Sequence, residues 1–119
     1  MGNGHDEIKA AIGAHGMWKT RLRTAIDRGS SEFSTATVAQ DDHCDFGKWL
    51  AGAATEMKGS RHYTKCKDLH RQFHSAAANV LKLALGGQKE EAKRILEKGD
   101  FATISGSLTH EMMEWDKAI

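Results

Sequence analysis

No proline interrupts this 119-residue chain. Without that ring nothing removes a backbone donor from a helix interior, so long helices are open to the chain, and glycine does the punctuating. Gly29, Gly59, the pair Gly86–Gly87 and Gly99 each follow a stretch of helical character, as glycines just past a helix end do. They divide the chain into about five predicted helices, over 5–28, 42–58, 61–85, 88–98 and 101–118, with residues 30–40 (SSEFSTATVAQ) as a polar loop.

Three of these segments carry a clear apolar stripe at helical spacing. In the third, Tyr63, Cys66, Phe73, Ala77, Val80, Leu81 and Ala84 share one face, and Lys65, Lys67, Asp68, Arg71, Gln72, Ser75, Asn79 and Lys82 the other; His70 and His74 fall with the apolar residues. In the first, Ile8, Ala11, Ile12, Leu22 and Ile26 share a face with His15, flanked by Trp18, and Lys19 also falls there. In the last, Phe101, Ile104, Leu108, Met112, Trp115 and Ile119 form the stripe and His110 lies opposite. Burying three long stripes and some short ones requires an all-α fold, an antiparallel bundle of the four-helix type with about five helices. The length suits one domain with a core of its own, expected over residues 5–118.

Charge and hydropathy narrow the function. The formal net charge is +1 with no Lys/Arg run, so nothing points to nucleic acid or an anionic membrane. No apolar stretch approaches the roughly 18 residues needed to span a bilayer, and MGNGHDEIK has no apolar core of a signal peptide. A cytoplasmic protein is expected by default, and in that compartment Cys44 and Cys66 are free thiols or metal ligands, not a disulfide.

Seven histidines are many for this length. His70 and His74, one turn apart on a helix face, can reach a single ion, or can simply pack at a bundle edge. Cys44 follows Asp41-Asp42-His43, and either aspartate can cap a helix. Cys44 then lies in a first helical turn, where the dipole favours a thiolate, a good zinc ligand; the plainer alternative is a buried small hydrophobe. His15, alone on an apolar face, is by itself more often core than ligand. The combination changes the odds: three helices bring four inward nitrogen or sulfur donors, the coordination number of a closed zinc site.

Three motifs in order carry a resemblance. His15-Gly16-Met17-Trp18, then Cys44-Asp45-Phe46-Gly47-Lys48-Trp49, then His70-Arg71-Gln72-Phe73-His74 resemble the chemoreceptor zinc-binding (CZB) domain, with its His-x-x-aromatic, Cys-x-hydrophobic-Gly-x-aromatic and His-x-x-x-His signature. The resemblance covers about residues 5–118. It implies one Zn²⁺ held by His15, Cys44, His70 and His74, with Trp18, Gly47 and Trp49 at packing positions. It also implies a homodimer and a regulatory role beside a chemoreceptor or diguanylate cyclase module, which this sequence does not itself contain. The family's association with zinc–thiolate redox sensing suggests Cys44 as a switch.

The remaining histidines, His5, His43, His62 and His110, are expected to be non-ligands, His43 being the nearest exception. Cys66 is expected as core filler, and Met112-Met113 as core and edge. Two other function classes compete. A zinc hydrolase needs an open coordination position and a base, and no Glu stands between His70 and His74. A haemerythrin-like di-iron bundle needs several inward carboxylates, and none is placed by the stripes.

Overall fold

A computed structural model describes residues 4–31, 34–40, 44–52 and 60–118. They form a helical bundle of six segments: α1 (Gly4–Arg28), α2 (Thr35–Val38), α3 (Asp45–Ala51), α4 (Arg61–Leu85), α5 (Lys89–Lys98) and α6 (Asp100–Ala118), with no strand among the described residues. The three long stripes become α1, α4 and α6, which pack on one another, while α5 lies against all three. The short α2 and α3 sit over α4.

Local chemistry sets the ends. Gly29, at φ +69°, takes a left-handed conformation and donates to the Ala25 carbonyl at 2.8 Å, closing α1. Ser60 caps α4, its hydroxyl accepting from the His62 N–H at 3.1 Å. Gly99 joins α5 to α6 where a Cβ would stand 2.8 Å from Ile95 Cα, so no larger residue fits without moving backbone.

The stripes are buried as their periodicity requires. Ile8, Leu22, Ile26, Phe73, Val80, Leu81, Ala84, Phe101, Leu108, Met112 and Trp115 all lose essentially all their exposure. Each large apolar side chain removed from water in this way contributes about 1.5–3 kcal/mol. Ile12 and Ile104 are half-buried at the margins. Lys19 is exposed, so the charge on the predicted inner face of α1 sits beyond its edge. Met112 is buried and Met113 exposed. Ile119 lies outside the described residues.

Two expectations change. The polar loop over 30–40 contains one helical turn, α2, held by Val38 N–H to the Ser34 carbonyl at 3.0 Å. The helix predicted over 42–58 is described only from Asp45 to Ala51. Asp41, Asp42 and His43 lie outside the described residues, and the residue that caps α3 is Cys44 itself, with extended backbone (φ −83°, ψ 161°) and its sulfur accepting from the Gly47 N–H at 3.3 Å. A thiol can replace the expected aspartate because a cap needs only an acceptor aimed at the N3 amide.

The position of α3 over α4 has a specific cause. The Tyr63 hydroxyl donates to the Leu50 carbonyl at 2.8 Å, tying the end of α3 to the start of α4. Trp49 stacks between Phe46 (5.7 Å between centroids) and Trp115 (5.4 Å). Gly47 is buried beneath. Trp18 is half-buried, with the Arg21 guanidinium 5.1 Å over its ring.

Candidate metal centre

His15 of α1, Cys44 at the cap of α3, and His70 and His74 of α4 converge, their ligand-type atoms all within 4.8 Å of one another. The i, i+4 pair is placed by α4's helical period, and His15 reaches it because its own stripe packs on that face. The three imidazoles are almost wholly buried, and Cys44 is half-buried. Phe46 and Phe73 wall the cluster, with the Phe73 ring 5.0 Å from His15 and the Phe46 ring 5.1 Å from His70.

Two backbone carbonyls orient the rings. His15 Nδ1–H donates to Ala11 at 2.8 Å, and His74 Nδ1–H donates to Val38 at 2.9 Å. A carbonyl can only accept, so these bonds assign the proton to Nδ1 and leave Nε2 of each ring with its lone pair turned inward. Both lone pairs face the same atom: His70 Nε2 lies 3.0 Å from His15 Nε2 and 3.1 Å from His74 Nε2. The Cys44 sulfur is 3.2 Å from His70 Nε2 and 3.9 Å from His15 Nε2. One proton on His70 can serve one of these neighbours and no more.

A cation suits all four at once. With Zn–N near 2.0–2.1 Å and Zn–S near 2.3 Å, an ideal tetrahedron spaces its nitrogens about 3.3 Å apart and nitrogen from sulfur about 3.6 Å apart. The sulfur separations of 3.2 and 3.9 Å straddle the second value, and the nitrogen separations of 3.0 and 3.1 Å fall a few tenths of an ångström short of the first. The donor set, three imidazoles and a thiol, has the borderline-soft character zinc prefers and contains no carboxylate of the kind di-iron centres use.

The electrostatics fit as well. Burial lowers the His15 pKa to about 4, against the opposing bond to Ala11. Burial and the neighbouring His15 and His74 lower that of His70 to about 2. Both rings are therefore neutral at ordinary pH, the form that binds metal. Cys44 corrects the expectation of a dipole-stabilised thiolate: burial pushes its pKa up, outweighing the amide donors at the start of α3, with Asp45 adding to the rise. In the absence of a cation the thiol keeps its proton.

The other candidates fall outside the cluster. Cys66 is fully buried, its pKa raised to about 12 by burial and by Glu111, which describes an inert core thiol. His110 is exposed on α6. His43 and the side chain of His5 lie outside the described residues. His62 is engaged elsewhere, its Nδ1–H donating to Glu111 at 2.6 Å. Glu111 was not anticipated: it is buried on α6, and Lys65 also reaches it at 3.3 Å. Burial pushes its pKa up, but the bonds from His62 and Lys65 hold it below the ordinary carboxyl range. A single acid beside Leu108 and Met112 in an otherwise apolar stripe was the signal available for it.

No described helix is long and apolar enough to cross a membrane. The family pattern described as the chemoreceptor zinc-binding domain matches residues 15–81, a span that contains all four clustered residues. Neither the curated proteins nor the solved structures gave a match.

Proposed function

The chain belongs to the chemoreceptor zinc-binding domain family, and from that membership we propose that it is a zinc-dependent regulatory module of bacterial signal transduction, with Zn²⁺ held by His15, Cys44, His70 and His74. The observation that carries this reading is the convergence of three imidazole nitrogens and one sulfur within 4.8 Å, two of the rings being fixed lone-pair-inward by backbone carbonyls. Four protein donors close a tetrahedral sphere, which argues for a structural or sensory centre over a hydrolytic one.

The domain comprises residues 5–118 and works in the cytoplasm as a homodimer beside a chemoreceptor or diguanylate cyclase module, without a nucleic-acid or membrane partner. Exposed Met17 and Met113, on α1 and α6, give the bundle surface apolar points suited to a second copy. When bound, Zn²⁺ would hold Cys44 as a thiolate and cross-link α1, α3 and α4. Cys44 is then the reactive donor of the set. With hypochlorous acid its sulfur gives up two electrons and gains an oxygen, chloride leaves, and the resulting sulfenic acid is a poorer ligand. His15 and His70 are held by 25-residue helices, whereas Cys44 caps a helix of seven, so α3 is the segment that its departure frees. The stimulus in this reading is zinc or an oxidant.

Elemental analysis tests the core of it. About one zinc per chain is expected, lost in His70→Ala and retained in His110→Ala. Full occupancy in His70→Ala would overturn the ligand assignment.

A further inference from the structure

We propose that metal reaches and leaves the cluster by one route, a pocket of about 410 Å³ between α1, α2 and α3 that opens on the Cys44 side. This inference rests on the metal-binding reading of the four residues. His15, Cys44 and His74 line the pocket; His70 does not. His70 is 1 % exposed, and His15 and His74 are 5 % and 4 % exposed. Away from the pocket the Phe73 ring stands 5.0 Å from His15, and neither Phe73 nor His70 lines the pocket. Among the described residues Cys44 alone of the four is half-open to solvent, and the pocket leads to it.

The pocket suits a hydrated divalent cation. Six waters at about 30 Å³ each occupy roughly 180 Å³, well within it. On the α1 side the small apolar side chains of Ala10 and Ala14 keep the space open. Charge at the lining is mixed, two carboxylates (Glu7 and Asp45) against the Arg21 guanidinium. The ion sheds water as it passes from this space to three buried imidazoles, and half-open Cys44, at the boundary, is the first of the four residues it meets. The same geometry makes Cys44 the last donor to let go.

Filling the pocket separates route from affinity. Ala10 and Ala14 are both exposed and one turn apart, and leucine is nearly as good a helix former as alanine, so Ala10→Leu/Ala14→Leu keeps α1 intact. Zn²⁺ dissociation is read by transfer to excess 4-(2-pyridylazo)resorcinol, and association by stopped-flow competition with the same dye. The expected result is that both rates fall about tenfold while the equilibrium constant stays within threefold. Thr24→Leu, also exposed on α1 but outside the pocket, should change neither rate. Unchanged rates in the double variant, a fall in one rate alone, or equal slowing in Thr24→Leu would overturn the route while leaving the metal centre standing. A wild-type chain that binds no zinc at equilibrium would overturn the centre itself, and the route with it.

Discussion

His74 Nδ1 hydrogen-bonds to the carbonyl of Val38 at 2.9 Å, so one turn of helix, α2, sets the orientation of a donor 36 positions later in the chain. Val38 is itself buried, its side chain anchoring the turn that offers the carbonyl. Loosening that anchor should be felt at the metal. Val38→Gly is expected to lower zinc affinity about tenfold, within the range usual for partners that orient a ligating histidine, while leaving the far-ultraviolet dichroism helical. Competition titration against a chelating dye measures it. Unaltered affinity would mean that His74 is held by α4 alone.

Cys44 has two roles that substitution can divide. Its sulfur caps α3 by accepting from Gly47, and the same sulfur is the one the cluster can offer a metal. Serine keeps an acceptor for the cap and loses the soft ligand; alanine loses both. In chelator, Cys44→Ser should therefore be about 1 kcal/mol more stable than Cys44→Ala, and both should bind zinc far more weakly than the parent. Equal stability of the two variants without metal would remove the capping role.

Much of this was legible in the sequence, for a definable reason. The stripes of α1, α4 and α6 repeat over several turns, so a residue such as His70 or Phe73 has its direction set by many neighbours. That His15, Cys44, His70 and His74 cluster could be read because a buried imidazole is assigned to a face by that same periodicity, and because the motifs hold the spacings of a known family. What lacked a period was not legible. Thr35–Val38 is one turn, too short to show one, and its carbonyl contact with His74 depends on chain path. The capping role of Cys44 was given to the preceding aspartates because cysteine is not an expected cap. Glu111 was overlooked because its partner, His62, lies 49 positions away.

Removing the metal should cost stability without unfolding the chain. The cluster joins α1, α3 and α4, and a ligand bound only by the folded state adds about 4 kcal/mol when its concentration is a thousandfold above its dissociation constant. For a domain of this size that corresponds to a melting temperature lower by roughly 10 °C or more. The core of Phe73, Phe101, Leu108 and Trp115 is independent of the ion, so the metal-free chain should still melt cooperatively. Thermal scans with and without a strong chelator give the comparison, and coincident curves would sever the ion from the fold.

Acid should act on the metal-free protein before ordinary carboxylates protonate. In the unfolded chain His15 and His70 take up protons near pH 6.5; in the folded chain burial defers this to about 4 and about 2. Between those limits the unfolded state binds more protons, so stability falls as pH falls from 6.5 towards 4. The slope is about 1.4 kcal/mol per pH unit for each of the two rings once pH is well below 6.5. Glu111, whose folded pKa is depressed, adds its loss only at lower pH, below its unfolded value near 4.5. The window from 6.5 to 4.5 therefore reports the histidines. Urea titrations in chelator at half-unit steps across it should show the decline in the parent chain. In His70→Phe, which leaves an apolar ring in the same wall, the slope should be about halved. A flat profile in the parent, or an undiminished one in His70→Phe, would show that the buried rings of the cluster are not what acid attacks.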